Sequence, residues 1–160
     1  MQNLTIKQRI LDSFCLLLCA GAVVYVITVY PTLPSKIPTN FAANGEITGY
    51  SSKTSLFILL GVMLFMTASF SVMLRLRAFY RNMNLPWTVS KEKLPRVISV
   101  TKDLLCWSNL CVTVGNATLL YACASGTLYT DVLWLPYVIL AVVVVWFLWR
   151  IRKICKERDI

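Results

Sequence analysis

Histidine is absent from these 160 residues, and acidic side chains are scarce, with seven set against sixteen basic ones. A chain without histidine has no side chain whose ordinary pKa lies near neutral pH, which excludes a His-based catalytic base and a His proton relay. Six cysteines are present, but none forms a C-x-x-C pair, so the usual zinc and redox spacings are missing. Cys15, Cys19, Cys106, Cys111 and Cys123 fall within apolar runs and Cys155 in a basic tail. They read as small apolar packing residues, neither metal ligands nor disulfide partners. Charge of either sign is also sparse. Charged residues make up 14% and hydrophobic residues 58% of the chain, against about 25% and about 45–50% in a soluble domain. Soluble enzymes, extracellular disulfide scaffolds and free nucleic-acid binders are thereby excluded.

What the chain does have is long apolar runs. Four occur, at 11–30, 55–74, 104–128 and 132–149. Each is long enough to cross about 30 Å of hydrocarbon as a helix. In lipid the backbone must satisfy its own hydrogen bonds, so helices are the expected spanning form. The expected fold is an all-α integral membrane protein with four transmembrane helices in a single membrane domain. A short Gly126–Asp131 turn should join the last two as an antiparallel pair. The first run follows Lys7 and Arg9 but is too long for a signal-peptide core and lacks a small-x-small cleavage site, so it is read as a retained helix.

The distribution of basic residues predicts the orientation. With both termini in the cytoplasm, every Lys and Arg except Lys36 and Lys53 lies on the inner side, in the N-terminal segment, the 75–103 loop and the 150–160 tail. This is the positive-inside pattern. It accounts for the net charge of +9 through topology and contact with anionic lipid at the inner face, and no nucleic-acid partner is needed. Tyr30, Tyr50, Tyr129, Trp134 and Tyr137 would mark the outer boundary, and Phe79, Tyr80, Trp107, Trp146 and Trp149 the inner one. The expected location is the cell membrane, as a multi-pass protein.

Ionisable residues in the middle of a span usually mark ion-coupled transport, and here there are none. Asp12 and Asp103 sit at the cytoplasmic ends of their helices, where water is expected to reach them. The third span alone is read as having polar content at its middle: Asn109, Thr113 and Asn116 fall on one helical face. Glue between helices is the plain interpretation, and the lining of a narrow polar path the sharper one. Ala122 and Gly126 form a small-xxx-small pair suited to close approach of the fourth helix.

The 31–54 loop is the most distinctive segment. Pro31, Pro34 and Pro38 impose an extended start. Asn44-Gly45 then suits a tight type I′ reversal, and Tyr50 returns an aromatic ring to the interface. The stretch Leu33-Pro34-Ser35-Lys36-Ile37-Pro38-Thr39-Asn40-Phe41, followed by Gly45, Gly49-Tyr50 and Ser52-Lys53, resembles a bacterial membrane domain of unknown function. That domain also forms the N-terminal part of immunity proteins against the sporulation-delaying cannibalism toxin. Its pattern is Leu-Pro-x-x-Ile-Pro-x-His-Phe-x-x-x-Gly, then a frequent Asp, an aromatic residue and Ser-Lys. The resemblance covers about residues 10–75. Two positions depart from it: Asn40 stands for the usual His and Thr48 for the frequent Asp. Asn hydrogen-bonds, but it neither titrates near neutral pH nor makes a good metal ligand.

The resemblance implies a non-enzymatic protein without cofactor or metal, giving immunity to, or sensing, a secreted membrane-active peptide. Lys36, Asn40, Phe41, Glu46, Tyr50 and Lys53 are the expected ligand-binding residues of the outer loop. Glu46 is the loop's only acidic group and the natural contact for a cationic peptide. In that immunity system the membrane protein can hold a small transcription repressor, so the basic inner loop with Leu85-Pro86-Trp87 is a candidate anchor for a cytosolic regulator. The remaining alternative is a channel or transporter subunit, working as a homo-oligomer through the Asn109–Thr113–Asn116 face. No nucleophile–base or metal constellation supports an enzyme.

Overall fold

The structure is a computed structural model that describes residues 4–42, 44–76, 79–80, 89–127 and 130–156, with side chains from 134 onward in the last segment. Arg77, Arg81, Leu85-Pro86-Trp87, Tyr129 and Arg158 lie outside the described residues. Among the described residues there are four long helices: α1 at Ile6–Val29, α2 at Ser55–Arg75, α3 at Leu94–Ser125 and α4 at Thr130–Lys156. All four are long and apolar enough to cross a membrane. The outward surface fits that solvent, since Phe65, Leu17 and Ile58 stand 69–74% exposed, and lipid is the medium that accepts such rings and chains without cost. The chain is a multi-pass membrane protein.

Each helix has a local reason to start or stop. At α1 a capping box closes the first turn: Thr5 Oγ1 accepts from the Gln8 backbone N–H, and Gln8 Oε1 accepts from that of Thr5. Pro31 sits in a single 3-10 turn, Tyr30–Thr32, at the other end. Pro95 opens α3, where a missing N–H is no loss. Gly126 ends it in the left-handed region at φ 70°, donating its N–H to the Ala122 carbonyl. Gly126 is therefore a helix cap, not the packing residue expected from its spacing to Ala122.

Three helices run further than their apolar runs predict. Helix α1 begins at Ile6, not Leu11, α3 begins at Leu94, not Leu104, and α4 continues to Lys156, past Trp149. Charged residues end a hydropathic window without ending a helix, because the backbone bonds are local and the apolar seam continues. Val97 and Val100 of α3 pack on Phe147, Ile151 and Ile154 of α4 beyond the main apolar stretch.

Helices α1, α2 and α3 pack together, and α4 packs chiefly along α3. The 31–54 connection, expected as an ordered loop, folds as a two-stranded antiparallel hairpin, β1 at Lys36–Phe41 and β2 at Ile47–Ser52. Its Ile37 enters the core formed by Val26, Leu56, Leu60 and Leu120. Close approach of α3 and α4 occurs at Gly115, where an added Cβ would stand 2.8 Å from Tyr137 Cζ. Gly115→Ala should therefore force the Tyr137 ring aside and cost about 1–3 kcal/mol. Gly21→Ala and Gly61→Ala, which meet nothing within 4 Å, should be neutral or stabilising, since Ala is the better helix former. Thermal unfolding in detergent compares the three; equal midpoints for all would contradict this account of the α3–α4 contact.

Candidate functional site

Two features bring together the polar and aromatic residues of interest: the hairpin, and a polar seam inside the α1–α2–α3 core. In the hairpin, Lys36 pairs with Ser52, Ile37 with Ser51, Pro38 with Tyr50, Asn40 with Gly49 and Phe41 with Ile47, with register shifts on either side of Asn40. Lys53 N–H donates to the Ser35 carbonyl at 3.1 Å and closes the base. Thr39 and Ser51 hydroxyls meet at 2.9 Å across the strands. The reversal differs from the expected type I′ turn, because no described residue other than glycine takes positive φ. Within the reversal Gly45 does so, at 88°. Its N–H donates to Ala42, while the Ala42 N–H donates to the Glu46 carbonyl. The left-handed glycine thus sits where the ladder closes between Ala42 and Glu46.

A Cβ at Gly49 would stand 2.7 Å from Asn40 Nδ2, so the Asn40 side chain lies across the glycine. The bulged register and the bare Gly49 together give the Asn40 side chain its place.

The expected ligand residues divide into two groups. Lys36, Asn40, Glu46 and Tyr50 are exposed, Tyr50 by 62%. Phe41 and Lys53 are not presented in the way the sequence suggests. Phe41 is half-buried and packs on the hydrophobic core beside Ile37, because at the end of β1 its ring gains more from apolar cover than from water. The Lys53 ammonium lies 4.7 Å from the centroid of the Tyr30 ring, and Tyr30 meets the Phe57 ring at 4.7 Å between centroids, tilted by 52°. Lys53 therefore ties the start of α2 to the end of α1. Ile47, 37% exposed, joins the presented set and was not singled out from the sequence.

Below the hairpin, polar side chains on three helices meet. The Thr67 and Thr113 hydroxyls share a hydrogen bond of 2.9 Å, and Thr113 Oγ1 donates to Asn109 Oδ1 at 3.3 Å. Asn109 and Thr113 are wholly buried. Asn116 is not part of this contact; its amide folds back to the Val112 carbonyl of its own helix. The Asn109 Nδ2 atom is the one buried side-chain nitrogen or oxygen without a partner among the described residues.

Further along the seam, Asp12 is 2% exposed, which corrects the expectation that water reaches it. Its carboxylate accepts from the Ser71 hydroxyl and from the Arg75 guanidinium. Arg75 also donates to the Ser71 carbonyl at 2.7 Å. Gln8 Nε2 donates to the half-buried Asp103 at 2.7 Å, and the Gln8 carbonyl faces Cys106 Sγ. One glutamine thus caps α1 and fastens it to α3. A signal for this seam was present. Gln8, Asp12, Cys15 and Cys19 lie at helical spacing on one face of α1, and Thr67, Ser71 and Arg75 on one face of α2. In the sequence the third span alone reads as polar at its middle, because a stripe shared between helices carries no charge at mid-membrane and becomes visible only once the helices are packed.

Residues 17–64 match a family described as Domain of unknown function (DUF1648). The match takes in less than a third of the chain and centres on the hairpin, with parts of α1 and α2 on either side. No curated protein and no solved structure matches the chain.

The seam has a direct test. Arg75→Gln leaves the Asp12 charge buried without its cation. A fully buried pair broken in this way costs about 3–5 kcal/mol. The Arg75 side chain is 54% exposed, so solvent screening reduces the expected cost to about 1–3 kcal/mol. Asp12→Asn with Arg75→Gln should recover a large part of it, because the stranded charge is gone. Thermal midpoints of the two proteins in detergent check this; a double variant no more stable than Arg75→Gln would contradict it.

Proposed function

We propose that this protein is a non-enzymatic membrane protein that confers immunity to, or senses, a secreted membrane-active peptide through its hairpin. The observation that carries the reading is a hairpin anchored on one side by Ile37, Pro38 and Phe41 while Lys36, Asn40, Glu46, Ile47 and Tyr50 face outward. Three lines support it. The family match falls on this segment. Its Leu33–Lys53 motif resembles that of the toxin-immunity proteins. The basic residues, apart from Lys36 and Lys53, fall in the N-terminal segment, the 75–103 stretch and the 150–160 tail, a distribution that under the positive-inside rule favours a hairpin outside and both termini in the cytoplasm.

In this mechanism Tyr50 and Ile47 receive the peptide's apolar face at the lipid boundary and Glu46 meets a cationic side chain. The second edge of β2 has no strand partner among the described residues, and an extended peptide would add to it through backbone hydrogen bonds. A peptide held there is kept from inserting into lipid. Lys53 and Phe41 hold the hairpin and do not touch the peptide. The transport alternative has less support. Asn109 and Thr113 are sealed between helices of one protomer, so that face has no opening to line.

Expression in a sensitive Gram-positive host, with survival scored against a panel of secreted membrane-active peptides, tests the proposal. The wild-type chain should protect against at least one of them. Tyr50→Ala should weaken binding of that peptide about tenfold or more, as loss of a central aromatic contact does, and Glu46→Ala should weaken it less, since exposed charge pairs contribute little. Protection that survives both substitutions would refute hairpin recognition. No protection against any peptide, with the protein present in the membrane, would refute the immunity reading.

A further inference from the structure

At the end of the bundle away from the hairpin, α3 and α4 part to form a cavity of about 420 Å³. Val100 and Ile154 make its floor. Helix α4 contributes Trp146, Trp149, Arg150 and Lys153, and α3 contributes Arg96, Ser99 and Asp103 at the opposite wall. Three cations and one carboxylate thus line it, and that carboxylate already accepts from Gln8. The two α4 cations are aligned by aromatic rings. Arg150 lies 5.4 Å from the centroid of Trp146, and Lys153 Nζ lies 5.8 Å from that of Trp149. Stacking of this kind holds the alkyl stems along the rings and limits the positions of the charged heads.

The depth of the cavity identifies its occupant. Trp is enriched where hydrocarbon meets headgroups, and Trp146 and Trp149 stand about half exposed at the rim, at 49% and 60%. The apolar stretch of α4 ends at Trp149, one residue before Arg150. Cations directly past such an end lie among lipid phosphates, and basic pockets between membrane helices bind anionic headgroups.

We propose that this cavity is a binding site for the phosphate-bearing headgroup of an anionic phospholipid. Arg150 and Lys153 hold the phosphate, Ser99 donates from α3, and the acyl chains run down the apolar side of the α3–α4 groove past Trp146. The site depends on the four-span architecture and not on peptide recognition by the hairpin, so either proposal can fail while the other stands.

Native mass spectrometry of the full chain in detergent, titrated with phosphatidylglycerol or with phosphatidylcholine of the same acyl chains, tests it. Phosphatidylglycerol should bind at lower concentration and saturate at one tight site. The double substitution Arg150→Gln/Lys153→Gln should weaken that site about 25-fold, from about fivefold per cation lost near a lipid surface. The exchange Arg150→Lys/Lys153→Arg should retain it. Lys7→Gln/Arg9→Gln removes the same charge from exposed positions of α1 that do not line the cavity and, with solvent screening between them and the site, should change affinity less than about twofold. Equal weakening by the two Gln pairs would show diffuse attraction and overturn the site. So would equal affinity for the two lipids. Glycerol phosphate binding as tightly as the lipid would overturn the assignment to a headgroup in favour of a soluble anion. Circular dichroism on each variant separates lost binding from lost fold.

Discussion

A carboxylate buried among three helices of an apolar chain sets the terms for the rest of this structure. In lipid the hydrophobic effect draws helices into the bilayer but does not draw them to each other, so packing and polar contacts must do that. Asp12, Ser71 and Arg75 join α1 to α2, Gln8 and Asp103 join α1 to α3, and Thr67, Thr113 and Asn109 join α2 to α3. Each bond satisfies a group that would otherwise be stranded in a medium of low dielectric, where a missing partner costs most. The seam therefore selects one mutual rotation of the three helices. Apolar contacts alone would tolerate several.

That fixed rotation orients the hairpin. Ile37 fits a socket made by Val26, Leu56, Leu60 and Leu120, residues drawn from all three seam helices. Lys53 over Tyr30, and Tyr30 on Phe57, clamp the junctions at its base. A two-stranded hairpin is marginal on its own; here its apolar side is part of the bundle core. What projects is consequently held in place and is short of backbone entropy to lose on binding. Helix α4 stands apart from this arrangement, packed chiefly on α3 through Gly115 and Tyr137 and through the Val97–Ile151 contacts.

Much of the architecture was legible because hydropathy measures the quantity that lipid selects. The four spans follow from apolar run length, and the ends of α2 fall within a residue of their expected places. Leu94–Asp103 was missed as helix because hydropathy reports crossing of hydrocarbon, not backbone conformation. The seam was missed for a different reason. Asp12 and Arg75 are far apart in the chain, and nothing local to either announces the other. Stripes such as Gln8, Asp12, Cys15 and Cys19 become meaningful only when a neighbouring helix carries a matching stripe. In the hairpin, the residues with turn chemistry marked the reversal, but burial decided which side chains are presented. That divided Phe41 and Lys53 from Tyr50 and Glu46, and no local pattern separates them.

The functional account depends above all on the hairpin and the basic end lying on opposite sides of the membrane. Single cysteines introduced at Glu46 and at Lys156, in a background with the six native cysteines replaced, test this with a membrane-impermeant maleimide. Labelling at position 46 in intact cells, with labelling at position 156 only after permeabilisation, is the predicted result. Labelling of position 156 in intact cells, or protection of position 46, would contradict the account, because a hairpin facing the cytoplasm cannot meet a secreted peptide.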